Sequence, residues 1–264
     1  MPTFAILGAT GNTGQAILTL LLRDESVKVH CFVRSSRKLH GQMPELRDHK
    51  RVKIFESSLN DTPILAECIA PCDAVFSCIA TEENSPGCSI ALDTAHAVVA
   101  ALCHVRCVKK NYAPLPRIIV LSSGTINDHL CRDTPTFARY FVWTGFSNIY
   151  ADLLRAEAYY RLHRAWMTAV FVQPGGLVHD SQAGHAVSTE KEASTFLSFL
   201  DLAAGMIECG SKDKDDTEWD WVGLSVLPTG KTRFNPKAPF AVLRGCLWTI
   251  FPPLYWILHS ARSG

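Results

Sequence analysis

The 264-residue sequence lacks an excess of charge of either sign, with 26 Lys and Arg against 25 Asp and Glu and a formal net charge of +1. No general field draws such a chain to nucleic acid or to an acidic surface, so the expected partner is a small molecule. It has no charged leader followed by a long apolar run and a small-residue cleavage site, and it opens on the strand-like Thr3–Leu7. Its expected location is therefore the cytoplasm. Metal-ligand spacings are also missing. Among the ten cysteines, Cys68 and Cys72, and Cys103 and Cys107, stand four apart inside helical patterns, and no CxxC or Cys/His spacing occurs. Reduced, mostly packed thiols and no metal are expected. A clean spanning run is absent as well: the apolar segment 242–258 contains Arg244 and is interrupted by Pro252 and Pro253. That makes it a poor transmembrane helix, and leaves an interfacial segment or a homo-oligomer contact as its open roles.

What is present is an ordinary globular composition, 47% apolar and 19% charged, which excludes disordered and fibrous classes. Neither repeats, low-complexity tracts nor a linker divide it. Short apolar, β-branched runs at 4–7, 27–33, 52–55, 74–79, 118–121 and 168–172 alternate with longer segments of helical period. Ala91, Ala95, Val98, Leu102 and Val105, for example, fall on one helical face. The pattern predicts a parallel sheet with crossover helices. The region 140–166 reads as one further helix, and Pro174 with two glycines ends the sixth strand that follows it. Beyond residue 181 the alternation stops, giving a polar loop, an apolar helix at 196–207, an acidic turn at 213–218 and a strand-like 219–226.

Gly8, Ala9, Thr10, Gly11, Asn12, Thr13 and Gly14 follow the first strand directly and open the first helix. In that βαβ position Gly8 permits the tight turn, Gly11 lets backbone approach a pyrophosphate, and Gly14 lets helix pack against sheet. The helix N-terminus then offers free N–H groups to the anion. A bare glycine-rich turn is the competing reading. At the end of the second strand, where an acid usually holds a free ribose 2′-hydroxyl, the sequence has Arg34, Ser35, Ser36, Arg37 and Lys38. Arg34, Ser35 and Arg37 suit a 2′-phosphate, which favours NADP(H) over NAD, against the alternative of a solvated basic loop. The expected architecture is α/β, a Rossmann-type doubly wound parallel sheet. Residues 1–180 form the NAD(P)-binding core, and 181–264 form a small C-terminal substrate-binding or lid region integrated with it.

The GATGNTG loop is followed in order by Ser122, Ser123 and Gly124 after the fifth strand, the run Tyr150 to Glu157 in a helix, and Pro174, Gly175, Gly176 and Leu177 after the sixth. In this order the chain resembles an atypical short-chain dehydrogenase/reductase of the NmrA-like branch, and more closely the fungal averufin oxidase A-like proteins of aromatic polyketide pathways. That resemblance extends over Pro174 to Asp180, Gly184 to Ser188 and Phe196 to Met206, nearly the whole chain. It implies that Ser123 holds a substrate carbonyl, that Tyr150 exchanges its proton, and that Ala80, Pro174 and Gly175 lie along the dinucleotide. The superfamily's lysine, four residues after the tyrosine, is here Leu154. Arg155 lies about 100° further round the helix and does not replace it. Without a nearby cation, a phenol of ordinary pKa about 10 exchanges protons poorly at neutral pH.

A second polar group, His179, Asp180 and His185, sits in the loop after the sixth strand, where open α/β sheets place their ligands. An imidazole beside an acid suits proton transfer near neutrality, so these are candidate acid/base residues, although capping and backbone bonding would explain them equally. Trp143, Phe146, Trp166, Trp219 and Trp221 are available to line a pocket for a flat aromatic substrate. Three functions follow: an NADPH-dependent oxidoreductase of fungal secondary metabolism acting on an aromatic polyketide-like substrate; a redox-neutral isomerase, cyclase or ring-opening catalyst on the same scaffold; or a non-enzymatic, NAD(P)-sensing regulator of the NmrA-like kind.

Overall fold

A computed structural model describes residues 1–108, 114–190, 196–213 and 215–260. Each of the six apolar runs is a strand: β1 (Thr3–Leu7), β2 (Lys28–Val33), β3 (Val52–Glu56), β4 (Ala74–Ser77), β5 (Arg117–Leu121) and β6 (Ala169–Val172). They pair in parallel in the order β3-β2-β1-β4-β5-β6. The crossovers are α1 (Asn12–Leu21), α2 (Ser36–Gln42), α3 (Thr62–Ile69), α4 (Ile90–Val108), α5 (Thr136–Gly145) and α6 (Ser147–Leu162). The central strands are largely apolar because both faces of the sheet are covered, while Lys28, Lys53 and Glu56 fall on β2 and the edge strand β3. In β1, Phe4 and Ile6 join the cluster of Ile17 and Leu18 from α1, while Ala5 and Leu7 face Leu65 of α3, Val98 and Leu102 of α4 and Tyr160 of α6. Strand order reverses between β1 and β4, and the crevice beyond the carboxyl ends of strands at such a reversal is where this architecture holds ligands.

The C-terminal third supplies a ribbon of β7 (Leu177–Val178) with β9 (Leu197–Ser198), the edge strand β8 (His185–Ser188), then α7 (Phe199–Ser211), β10 (Gly223–Pro228), α8 (Ala238–Ile250) and α9 (Pro252–Ser260). β10 lies parallel to β6 at Gly223 and Leu224 and then pairs antiparallel with β8, giving an eight-stranded sheet. α7 packs on α1, completing the layer on that face.

Three boundaries differ from the sequence reading. The helix expected over 140–166 is two, broken at Phe146 (φ −129°, ψ 22°), because α5 docks on α8 and α6 on α4. A Cβ at Gly145 would come within 2.9 Å of the Val242 carbonyl oxygen, and one at Gly245 would overlap the Gly145 carbonyl. α7 starts at Phe199 because Ser198 caps it, its hydroxyl accepting from the Asp201 amide at 3.0 Å. β10 begins only at Gly223 because Trp221 holds a left-handed backbone, φ 65°. Segment 242–258 is interrupted where Pro252 and Pro253 predict, falling on two helices bent by 108° at Phe251.

By length and composition α4 could cross a membrane, but Ala95, Val98, Leu102 and Val105 are buried against the sheet layer, as in a core helix. All ten cysteines are free thiols. Burial pushes the thiols of Cys31 and Cys209 up to about 12, which keeps them protonated and inert. Among the described residues no cluster of metal-ligating side chains occurs.

Candidate active site

The glycine loop takes the form its sequence predicts. Gly8 has φ +92°, and a Cβ there would lie 3.1 Å from the backbone of Cys78, so β1 turns tightly against the end of β4. Gly11 N–H donates to the Gly8 carbonyl at 2.9 Å. A Cβ at Gly14 would overlap the Gly8 carbonyl, which makes this glycine the helix-to-turn contact. Gly11 is different: a Cβ there would meet only the Gly8 oxygen, at 3.4 Å, and otherwise faces open space. No side chain caps α1, so the amides of its first turn are left for a ligand. These features fit a pyrophosphate. Thr13 is buried under the turn. The Thr10 carbonyl is fixed by Gln15 Nε2 at 3.1 Å and Gln42 Nε2 at 3.3 Å, and the Asn12 amide reaches Glu82 at 3.4 Å. Ala80 is exposed in the loop after β4, which runs past Gly8.

After β2, Arg34 and Arg37 are exposed and make no ion pair among the described residues. Ser35 caps α2: its Oγ accepts from the Lys38 amide at 3.2 Å, which leaves its O–H to donate elsewhere. Glu56, at the end of β3 beside this loop, is held by the Ser36 hydroxyl.

Tyr150 is buried at the start of α6, between the rings of Trp143 and Phe146, 5.4 and 5.8 Å away. Its hydroxyl donates to Thr125 Oγ1 at 3.3 Å, with the Ser123 hydroxyl beside it. Burial raises the pKa of this phenol above its ordinary value, and the hydroxyls of Thr125 and Ser123 only partly oppose the shift. The group is thus a neutral donor at physiological pH. Leu154 is exposed, and Arg155 turns away to the Cys88 carbonyl (2.7 Å) and Asp152 (3.4 Å), so among the described residues no cation stands at the phenol. Gly124 N–H donates to the Pro174 carbonyl at 2.8 Å, which brings Pro174 and Gly175 alongside Ser123.

Two side chains absent from the sequence reading fix this geometry. Buried Asn84, in the loop after β4, accepts from the amides of Asn148 (2.9 Å) and Ile149 (3.4 Å), capping α6 across space. Its amide donates to the Gly245 carbonyl at 3.2 Å and to Thr249 Oγ1 at 2.9 Å. Buried Asp152 returns the favour for α4, accepting from the amides of Ala91 (2.8 Å) and Leu92 (3.2 Å).

A further network lies beneath Ser122. Glu157, two helical turns after Tyr150 on the same face, accepts from Ser122 Oγ at 2.7 Å and Gln173 Nε2 at 2.8 Å, and the Gln173 oxygen accepts from Asn127 Nδ2 at 2.7 Å. An acid at i+7 on a buried face was its only signal in the sequence. Glu157→Ala would leave two buried donors unpaired, and an expected loss of about 2–4 kcal/mol in stability is readable as a lower denaturant midpoint at unchanged slope.

The structure does not join His179, Asp180 and His185 to Tyr150. His179 is exposed and its ring lies 4.7 Å from that of Phe199. Asp180 accepts from the amides of Ser181 (2.8 Å) and Arg233 (3.1 Å), closing a turn. His185 Nε2 pairs with Glu208 of α7 at 3.0 Å on the edge strand. Of the aromatics, only Trp143 and Phe146 meet Tyr150. Trp166 stacks under Arg106, Trp219 under Lys212, and Trp221 N–H binds the Ala169 carbonyl, all at the amino ends of the strands, so they do not line this site. A cleft of about 650 Å³ opens at that opposite edge too. Arg117 in it is spent on the carbonyls of Lys212, Asp213 and Asp216 and on Asp220, which makes it a structural strut.

A parallel sheet with an uncapped glycine turn and a buried tyrosine beside a hydroxyl pair defines a dinucleotide-binding α/β protein. A family profile described as NAD(P)H-binding matches residues 8–212. Oxidoreductase AgnL4 of Paecilomyces divaricatus is 42% identical across 100% of both chains. Oxidoreductase aflX of Aspergillus parasiticus is 43% identical over 97% of this chain and 94% of its own. A short-chain dehydrogenase/reductase from Veillonella parvula in complex with NADP has the same fold, with TM-score 0.67 and 17% identity over 88% of this chain and 99% of that one. The chain belongs to the NAD(P)H-binding family, among its fungal oxidoreductases, and its cofactor is a nicotinamide dinucleotide.

Proposed function

We propose that the chain is a cytoplasmic, NADPH-dependent reductase of fungal secondary metabolism acting on a carbonyl of an aromatic, polyketide-like substrate. The observation that carries this reading is the neutral, buried Tyr150 hydroxyl held on Thr125 and Ser123 at the carboxyl edge of β5. When bound, the nicotinamide supplies hydride. Ser123 fixes the carbonyl oxygen by hydrogen bonding, and Tyr150 gives that oxygen its proton. The rings of Trp143 and Phe146 exclude water from the phenol and offer flat apolar surface to an aromatic substrate. The C-terminal region bears on this site through α8, which docks on α5. The test is to delete the gene in its host, isolate the accumulating intermediate, and incubate it with the purified protein. Stoichiometric loss of reduced-nicotinamide absorbance supports the proposal.

The absence of a cation at Tyr150 among the described residues favours one competing reading, a redox-neutral isomerisation, cyclisation or ring opening. Product formed at constant absorbance would select it.

The free guanidiniums of Arg34 and Arg37 and the available Ser35 O–H support a 2′-phosphate clamp. NADPH is expected to bind at least about tenfold more tightly than NADH, roughly 1.4 kcal/mol, with the preference inverted in Arg34→Glu/Arg37→Glu. Calorimetric affinities that are equal for both cofactors and unmoved by the double substitution would remove NADP from the proposal.

A further inference from the structure

The far side of α5 and α8 from Tyr150 is apolar and uncovered. On α8, Lys237, Phe240, Leu243, Arg244, Leu247 and Ile250 follow the spacing of one helical face and are exposed, while Gly245 and Trp248 face inward. Phe137, Tyr140 and Phe141 present the matching face of α5, and the Phe141 carbonyl contacts Cys246 of α8, so the two stripes adjoin. α9 adds Trp256 beyond the bend. Phe137 and Phe240 are 72% and 73% exposed, far beyond the scattered apolar residues of an ordinary surface.

Charge identifies what covers this patch. After Asp220 the sequence contains no acid, whereas Lys231, Arg233, Lys237, Arg244 and Arg262 are basic. Lys231, Lys237 and Arg244 are exposed and make no ion pair among the described residues; Arg233 lies 3.9 Å from Asp180; Arg262 falls outside those residues. A two-fold contact between two copies of such a surface would set cations against cations. An anionic lipid surface complements them, and large aromatics with basic flanks are the residue types that settle at that boundary. Helix α8 is too short to span alone, since its 13 residues rise only about 20 Å against a hydrocarbon core of about 30 Å, and the chain bends by 108° after it.

We infer that α5, α8 and α9 form a peripheral docking surface for an anionic phospholipid bilayer, lying in the plane of the interface. The test is co-sedimentation of the full chain with vesicles of phosphatidylcholine alone or mixed with phosphatidylserine. Partitioning is expected to be at least about tenfold stronger on the mixed vesicles and to weaken with salt. It should fall by about tenfold or more in Phe240→Glu/Ile250→Glu and, independently, in Lys237→Glu/Arg244→Glu, with circular dichroism and dinucleotide affinity unchanged in the variants used. Two outcomes overturn the inference. One is wild-type protein left in the supernatant or bound equally to both vesicles. The other is a concentration-dependent dimer, dissolved by the same substitutions, in protein that ignores vesicles.

Discussion

Gly11→Val is expected to fold normally and to lose dinucleotide binding by at least about a hundredfold, roughly 2.7 kcal/mol of affinity. The apo chain has room for the new side chain, because a Cβ at Gly11 would meet only the Gly8 oxygen, at 3.4 Å, and the glycine is not in a left-handed conformation. A pyrophosphate on the uncapped α1 amides would have to occupy the same space. Gly14→Val serves as the contrast. Its Cβ would overlap the Gly8 carbonyl, so it should lower the melting temperature whether or not cofactor is present. Native circular dichroism with undiminished affinity in Gly11→Val would show that the nucleotide binds elsewhere.

Tyr150→Phe is expected to reduce turnover by about a hundredfold or more, the usual worth of a positioned proton donor, while cofactor affinity stays within about twofold of wild type. Phenylalanine retains the ring packing with Trp143 and Phe146, so only the O–H on Thr125 and Ser123 is lost. The pH profile adds a second readout. Burial raises the phenol's pKa, so the donor stays protonated through neutral and mildly alkaline conditions, and the reductive rate should show no fall there due to Tyr150. A phenol activated by a neighbouring lysine would ionise nearer neutrality and show one. The sign for stability agrees: a raised phenol pKa in the folded state favours the fold below the ordinary value near 10 and lets that contribution fade as pH climbs past it. Full turnover in Tyr150→Phe would transfer the proton step to another group.

The fold was legible because its signals are local. Each βα unit announces itself by a short β-branched run and a 3.6-residue stripe, and GATGNTG lies between the first such pair. What escaped was set by partners far along the chain. Phe146 breaks a helix because Gly145 must meet α8, and Trp221 delays β10 through a backbone conformation its side chain does not advertise. The site divides in the same way. Tyr150 and Ser123 are marked by the resemblance of their runs to a reductase family, whereas Thr125, Asn84 and Glu157 matter only through contacts made across the fold. The histidines after β6 were plausible from position in sequence, yet the edge strand carries His185 sideways to Glu208.

Asn84 also constrains the order in which the molecule can be finished. A nascent chain folds from its N-terminus as it is made, and the six parallel strands and α6 are complete before α8 exists. Until then the donor side of Asn84 has no partner, since the Gly245 carbonyl it needs lies 161 residues later. The loop beside the glycine turn and the first turn of the tyrosine helix are joined through the Asn148 and Ile149 amides as soon as α6 forms, and α8 then fixes the Asn84 amide on Gly245 and Thr249. A growing chain can assemble its nucleotide cleft and cap its tyrosine helix early, and it braces the Asn84 side chain between them only once α8 has been made.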